Sequence, residues 1–215
     1  MKSIESSEIS PANCLTESST PLKILPQFRN LRKQNPDIFG WIKIDGTNID
    51  YPVMFTPNDP EYYLHRNLQK KVENRGLPFL DGKTDILKSS NFLIYGHSMK
   101  DGTEFADLLR YQSKSFFQNH PSFHFSTIYR TDNYRIIGVL LTKVYYQNDD
   151  VFKYYQFTYP ATQEQYRNFI TNVKKMSLYD TGETATPGDQ LITLSTCSYQ
   201  TEDGRIAVIA KKQGR

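Results

Sequence analysis

The alternation of apolar and polar residues predicts short β-strands along most of the chain. Stretches rich in β-branched and aromatic residues cover residues 37–44, 49–54, 91–95, 123–129, 133–146, 191–197 and 205–211, with a further extended piece at 76–81. Asp45-Gly46 and Asp203-Gly204 each separate two of these stretches. Such dipeptides are typical of hairpin turns because both residue types tolerate positive φ. We therefore expect a mainly β domain that contains antiparallel pairs.

Two stretches space their apolar residues at helical intervals. Residues 21–34 indicate a short helix near the N-terminus that Pro26 begins or interrupts. Residues 162–177 indicate a longer helix within the connection between the strands at 133–146 and 191–197. Long connections commonly form lids or the walls of binding sites. The alternative interpretation is a helix that only covers the open end of a β-barrel.

Two further helices are predicted in the middle of the chain. Asp101, followed three residues later by Glu104, resembles a capping box, so we expect a helix to begin within residues 103–110. A second short helix is expected over residues 113–119.

Composition fits a single globular domain. The 215 residues include eleven glycines, eleven prolines and 13% aromatic residues, which favours a β-rich fold with many turns. Residues 1–20 are rich in Ser, Thr and Glu and are expected to form a disordered polar leader before a domain spanning 21–215. Because 26 basic and 23 acidic residues are spread along the chain, we expect no nucleic-acid partner. No apolar run is long enough to cross a membrane, so the chain as given is expected to be soluble.

The cysteine content favours a free thiol over a structural one. Cys14 and Cys197 are the two cysteines in the sequence, and Cys14 lies in the polar leader, so a disulfide between them is not expected. A structural zinc site needs four ligands in paired spacing, which this sequence lacks. We predict no metal and no cofactor, and Cys197 is left free to react.

Cys197 ends one predicted strand and Arg205 begins the next. The hairpin between them should bring the guanidinium close to the thiol and stabilise the thiolate. The alternative is that Cys197 is buried as a small hydrophobic residue, as free cysteines often are. Its neighbours Ser195, Thr196 and Tyr199 are polar, which argues for an accessible site.

His97 is the histidine whose position suits a partner for this thiol. It follows the apolar strand at 91–95 and Gly96, just before a turn. If this strand and the one ending in Cys197 run in the same direction in one sheet, both side chains emerge at the same edge. His65 is expected to be structural, and His120 and His124 are expected to be ordinary surface residues.

The two strand ends together resemble the sortases, most closely class B. The residues that carry this resemblance are Leu93-Ile94-Tyr95-Gly96-His97, Thr193-Leu194-Ser195-Thr196-Cys197 and the downstream Arg205. The class B character rests on the N-terminal helical segment, on residues 76–81 and on the helix before Leu191. The resemblance implies a closed barrel of about eight strands with those two helices. It also implies a location on the outer face of a Gram-positive cell membrane, through an N-terminal anchor that we expect this chain to lack.

The implied activity is that of a cysteine transpeptidase. Cys197 would cleave a sorting signal after threonine through a thioacyl-enzyme, and His97 would protonate the leaving amine. Arg205 would bind the oxyanion or the substrate backbone. The acceptor would be an amine of a peptidoglycan precursor or a pilin lysine, and the donors would be surface proteins with a C-terminal sorting signal.

Ser195, Thr196 and Tyr199 are the candidates for substrate binding. Ser195 would hydrogen-bond to substrate or to the arginine, unless its hydroxyl merely fills space.

Two other functions fit the same residues. One is a cysteine peptidase that uses water as the acceptor. The other is a surface binding module without catalysis, in which Cys197 is simply buried.

Overall fold

The computed structural model describes residues 23–158, 162–198 and 203–214. The predicted leader, Cys14 and Tyr199 therefore lie outside the described residues. Within those residues, eight strands close into a barrel in the order β1-β2-β3-β4-β7-β8-β6-β5. The strands are β1 Ile38–Lys43, β2 Asp50–Met54, β3 Phe79–Leu80, β4 Asn91–Tyr95, β5 Ser122–Thr127, β6 Thr131–Lys143, β7 Leu191–Cys197 and β8 Gly204–Lys212. The predicted closed barrel is confirmed.

Three α-helices and two short 3₁₀ helices surround the barrel in the described part of the chain. The α-helices are α1 Pro26–Gln34, α2 Lys114–Asn119 and α3 Gln163–Met176, and the 3₁₀ helices are Ala106–Gln112 and Tyr154–Gln156. Helix α1 begins at Pro26, which is one of the two alternatives that the sequence left open, and it buries Phe28. Proline suits this position because backbone N–H groups in the first turn of a helix have no carbonyl partner within the helix, so the missing N–H of proline costs no hydrogen bond.

The helix prediction based on Asp101 and Glu104 is wrong in its details. Glu104 has a φ of +56°, which lies outside the helical region, and the helix begins later, at Ala106, as a 3₁₀ helix. The Asp101 carboxylate accepts hydrogen bonds from the backbone and the hydroxyl of Thr103. It therefore closes a tight turn instead of capping a helix.

The two predicted hairpins are present. Strands β1 and β2 pair antiparallel around a turn in which Gly46 has a φ of +76°. Strands β7 and β8 also pair antiparallel, with Cys197 opposite Arg205, and Asp203 in the intervening segment has a φ of +55°. Both turns thus use the left-handed conformation that Asp and Gly tolerate.

The apolar strands β7 and β8 are buried on both faces, and successive residues point to two different cores. In β8, Ile206 and Val208 face the barrel interior, whereas Ala207 and Ile209 face outwards into a second cluster. Helix α3 covers this outer cluster with Tyr166, Phe169, Ile170 and Val173. Burial on both faces explains why these strands read as nearly continuous apolar runs.

Helix α3 confirms the predicted helix at 162–177 but corrects the expectations for its role. Thr162 and Gln165 form a capping box at its start. Val173 packs so closely on β6 that a side chain at Gly138 would meet it at 2.6 Å. The helix therefore lies against the outer wall of the barrel, neither over its open end nor over the candidate site.

Candidate active site

A cleft of about 510 Å³ opens where strands β4 and β7 end and strand β8 begins. Its base is formed by residues from these strand ends: Tyr95, Gly96, His97, Ser195, Thr196, Cys197 and Arg205. The opposite wall comes from the loops around Pro60, Leu64 and Asp81, and from Val144, Tyr154 and Tyr155 of the long connection. The structure therefore brings His97, Cys197 and Arg205 into one cleft, as the sequence predicted.

Strand pairing positions Cys197 and Arg205. The two residues lie directly opposite each other in the β7–β8 ladder, and both are partly exposed. The Arg205 guanidinium donates to the Gly204 carbonyl at 2.9 Å. No carboxylate in the described ranges forms a salt bridge with Arg205, so its positive charge is available to the thiol or to a substrate oxyanion.

His97 reaches the same place through the parallel pairing of β4 and β7. Tyr95 is the partner of Ser195, so His97 and Cys197 each follow that pair by two residues. The Gly96 backbone donates to the Ser195 carbonyl, and the Thr196 hydroxyl donates to the Gly96 carbonyl at 2.6 Å. These two bonds extend the connection between the strands to the residue just before His97.

A hydrogen bond determines which nitrogen of His97 can exchange a proton. Nε2 lies 2.8 Å from the carbonyl oxygen of Leu64. A carbonyl oxygen only accepts hydrogen bonds, so Nε2 carries the proton of the neutral ring. Nδ1 is then the nitrogen that can take up or release a proton during a reaction.

The other three histidines differ in their location and contacts. His120 stacks on Phe116 and His124 lies exposed near Asp45, and neither lines the cleft. His65, which the sequence suggested was structural, stacks its ring on that of His97 with centroids 5.3 Å apart. Sequence reasoning missed this contact, because nothing local to His65 indicates it.

The hydroxyls of Ser195 and Thr196 already have partners inside the protein. Ser195 lines the cleft, but its hydroxyl lies 2.6 Å from that of Tyr154 and is not bonded to Arg205. Burial raises the pKa of Tyr154 to about 12, although Ser195 and Arg205 act in the opposite direction. Tyr154 is therefore a neutral phenol that contacts the strand carrying the thiol.

Tyr95 and Tyr155 also line the cleft, and the sequence did not predict them as site residues. Tyr95 lines the cleft and its hydroxyl lies 3.5 Å from Asp81, while burial and the Asp81 charge raise the pKa of Tyr95. The adjacent tyrosines Tyr154 and Tyr155 could have indicated a wall of the binding site, because they lie in a long connection and long connections often form such walls.

Among the residues that the structure describes, no group of three or more His, Cys, Asp and Glu side chains could hold a metal ion. None of the helices described is both long and apolar enough to cross a membrane.

Comparison with known proteins gives consistent results. Residues 42–213 match the family model of the sortase domain. Sortase B of Listeria monocytogenes is 33% identical over 192 residues, which cover 88% of this chain and 75% of that protein. The structure of sortase B from Bacillus anthracis in complex with AAEK1 superposes with a TM-score of 0.78 at 32% identity, covering 91% of this chain and 90% of the other. A sortase B–substrate complex from Staphylococcus aureus gives a TM-score of 0.78 at 29% identity, covering 88% and 86%.

Proposed function

This chain belongs to the sortase family of cysteine transpeptidases and is similar to its class B members, and from that membership we propose that it cleaves a sorting signal after threonine and joins the new end to an amine. The observation that carries the proposal is the register at the end of three adjacent strands. It pairs Tyr95 with Ser195 and Cys197 with Arg205, and so brings a thiol, an imidazole and a guanidinium to one cleft.

In the first step, Cys197 attacks the carbonyl carbon of the threonine. Cys197 reacts as the thiolate, and His97 carries a second proton on Nδ1. The thiolate forms the C–S bond, the peptide C–N bond breaks, and Nδ1 gives its proton to the departing amine. Arg205 stabilises the negative charge that develops on the carbonyl oxygen. The guanidinium opposite the thiol supports this role, because no carboxylate among the described residues forms a salt bridge with it.

In the second step, an amine attacks the thioester and releases Cys197. Nδ1 of His97 takes the proton of the incoming amine, which the hydrogen bond from Nε2 to Leu64 leaves it free to do. The acceptor is an amine of a peptidoglycan precursor or a pilin lysine. The donors are surface proteins with a C-terminal sorting signal, and the reaction takes place on the outer face of the cell membrane.

The peptide lies along the cleft between the strand ends and the wall of Leu64, Tyr154 and Tyr155. Ser195 and Thr196 line the cleft and Tyr199 follows them closely in sequence, so we propose that these three contribute to substrate binding. Ser195 acts together with Tyr154, since the two hydroxyls are hydrogen-bonded and lie beside Cys197.

The proposal is tested by incubating the protein with a library of threonine-containing peptides, with and without triglycine as the amine, and identifying the products by mass. We expect cleavage after threonine and a product that carries the amine. Cys197→Ala is the control and should form neither product. Hydrolysed peptide as the main product even at saturating amine would instead support a cysteine peptidase, and an intact library would support a binding module.

A further inference from the structure

The ring of His97 is contacted on one face by a second histidine ring. His65 and His97 stack with centroids 5.3 Å apart and planes 26° from parallel. His65 is exposed, whereas His97 is partly buried at the edge of the cleft. The outer ring thus lies over the inner one.

The loop that carries His65 constrains His97 in two ways. The carbonyl of Leu64 accepts the hydrogen bond from Nε2, and the next residue supplies the stacked ring. The hydrogen bond fixes the direction of one edge of the ring, and the stack fixes its plane. A rotation of the His97 ring about its Cβ–Cγ bond would break both contacts.

This loop is itself held in place by several contacts. The Glu73 backbone donates to the His65 carbonyl at 3.0 Å, and Arg66 pairs with Val72 in an isolated bridge. Arg75 forms a salt bridge of 2.9 Å with Asp101, which lies in the turn that follows His97. The loop that supports His97 is therefore also connected to the turn that follows His97.

We propose that His65 is a positioning residue that holds the plane of the His97 ring so that Nδ1 points at the reacting atoms. This inference rests on the function proposed for His97 above. The stack acts by shape: a flat ring at position 65 prevents His97 from turning away. A small misplacement of a proton-transfer group lowers the rate strongly, because proton transfer needs close approach and alignment.

The test compares three variants with wild type in the peptide–amine assay. His65→Ala and His65→Asn remove the flat ring, and each should lower kcat about tenfold with KM nearly unchanged. His65→Phe keeps a flat ring without nitrogens and should restore most of kcat. The matched control is His124→Ala, which removes an exposed histidine outside the cleft and should leave kcat at the wild-type value.

Two results would overturn the proposal. One is wild-type kcat in a folded His65→Ala or His65→Asn protein. The other is a His65→Phe protein as slow as His65→Ala, since that would mean that the ring nitrogens and not the stack matter. Thermal unfolding of each variant identifies any that fails to fold. One folded protein of the two, His65→Ala or His65→Asn, is enough for the comparison with wild type.

An NMR measurement tests the stack separately from the reaction. The Hε1 signal of His97 should move when His65→Ala removes the neighbouring ring current, and should move back towards its wild-type position in His65→Phe. An unchanged His97 signal in His65→Ala would show that the two rings do not stack, whatever the activity of the enzyme. If instead the signal responds but wild type transfers no peptide, the proposed function fails and the stack does not.

Discussion

The two sides of the cleft are held by different kinds of structure. Cys197 and Arg205 are paired residues of neighbouring strands in a closed barrel, so the backbone ladder determines their separation. His97 lies two residues beyond its strand. It is held by a hydrogen bond to the Leu64 carbonyl, by the stack on His65 and by a hydrogen bond from the Phe105 backbone N–H to the His97 carbonyl. We call Cys197 and Arg205 the thiol side of the cleft, whose geometry depends on the sheet. We call His97 the imidazole side, whose geometry depends mainly on loops.

This difference has a consequence for mutations. A change that leaves the strands paired should leave Cys197 and Arg205 in register, even if it alters the loops. The orientation of His97, in contrast, depends on contacts with residues more than 30 positions away in sequence, such as the hydrogen bond to Leu64. We therefore expect the geometry of the imidazole to be more easily disturbed than that of the thiol and the guanidinium.

The largest effect is expected from His97→Ala, which removes the one histidine among the described residues that lines the cleft. The loss of a general acid and base should lower the transfer rate by about 10²- to 10⁴-fold. The reactivity of Cys197 towards a small alkylating reagent, measured alongside, reports whether the thiol side is intact. A wild-type transfer rate in this variant would show that another group supplies the proton.

On the thiol side, Arg205→Ala should lower the rate by about 10²- to 10³-fold, the range for loss of one preorganised oxyanion donor. Arg205→Lys should recover only a small part of this, because lysine lacks the planar fork of donors. If lysine restores most of the activity, the charge stabilises the thiolate and the shape of the guanidinium matters little. In that case alanine should also lower the rate of alkylation of Cys197.

Val173→Ala should separate the stability of the barrel from the chemistry of the cleft. Val173 is buried between α3 and β6, and its truncation should lower the free energy of unfolding by about 2 kcal/mol. Because none of the described α3 residues lines the cleft, kcat measured well below the melting temperature should not change. A reduced kcat in the folded variant would mean that α3 contributes to the site.

The last effect, on stability alone, is expected from Glu104→Gln, in the turn that follows His97. Burial raises the pKa of Glu104 to about 7; Arg75 acts against this rise, while Glu73 and Asp101 add to it. In the unfolded chain the pKa of this carboxyl lies near its ordinary value of 4.5. The folded protein thus binds this proton more tightly, and wild-type stability should fall as the pH rises from about 4.5 to about 7.

Glutamine resembles the protonated carboxyl and removes this titration. Urea unfolding at pH 5 and pH 8 should therefore show that Glu104→Gln gains stability relative to wild type at the higher pH. The exposed Glu164 of α3 offers a matched control, since Glu164→Gln makes the same chemical change at the surface. Parallel pH profiles for Glu104→Gln and wild type would contradict the prediction.

Local sequence patterns determined the elements and one half of the site. Side-chain alternation and turn residues predicted the β7–β8 hairpin, and with it the approach of Arg205 to Cys197, because a hairpin uses only neighbours in sequence. Helical spacing predicted α3 almost to its ends. The motifs around His97 and Cys197 predicted the family, which the comparisons confirm.

Only the tertiary structure decided the contacts between distant segments. The parallel register of Tyr95 with Ser195, the stack of His65 on His97 and the location of α3 on the outer wall each join residues that are far apart in the chain. A local pattern states which face of an element is apolar, but not which partner covers it. Closure of the barrel makes that choice, because it must satisfy the backbone and bury both faces of β7 and β8 at once.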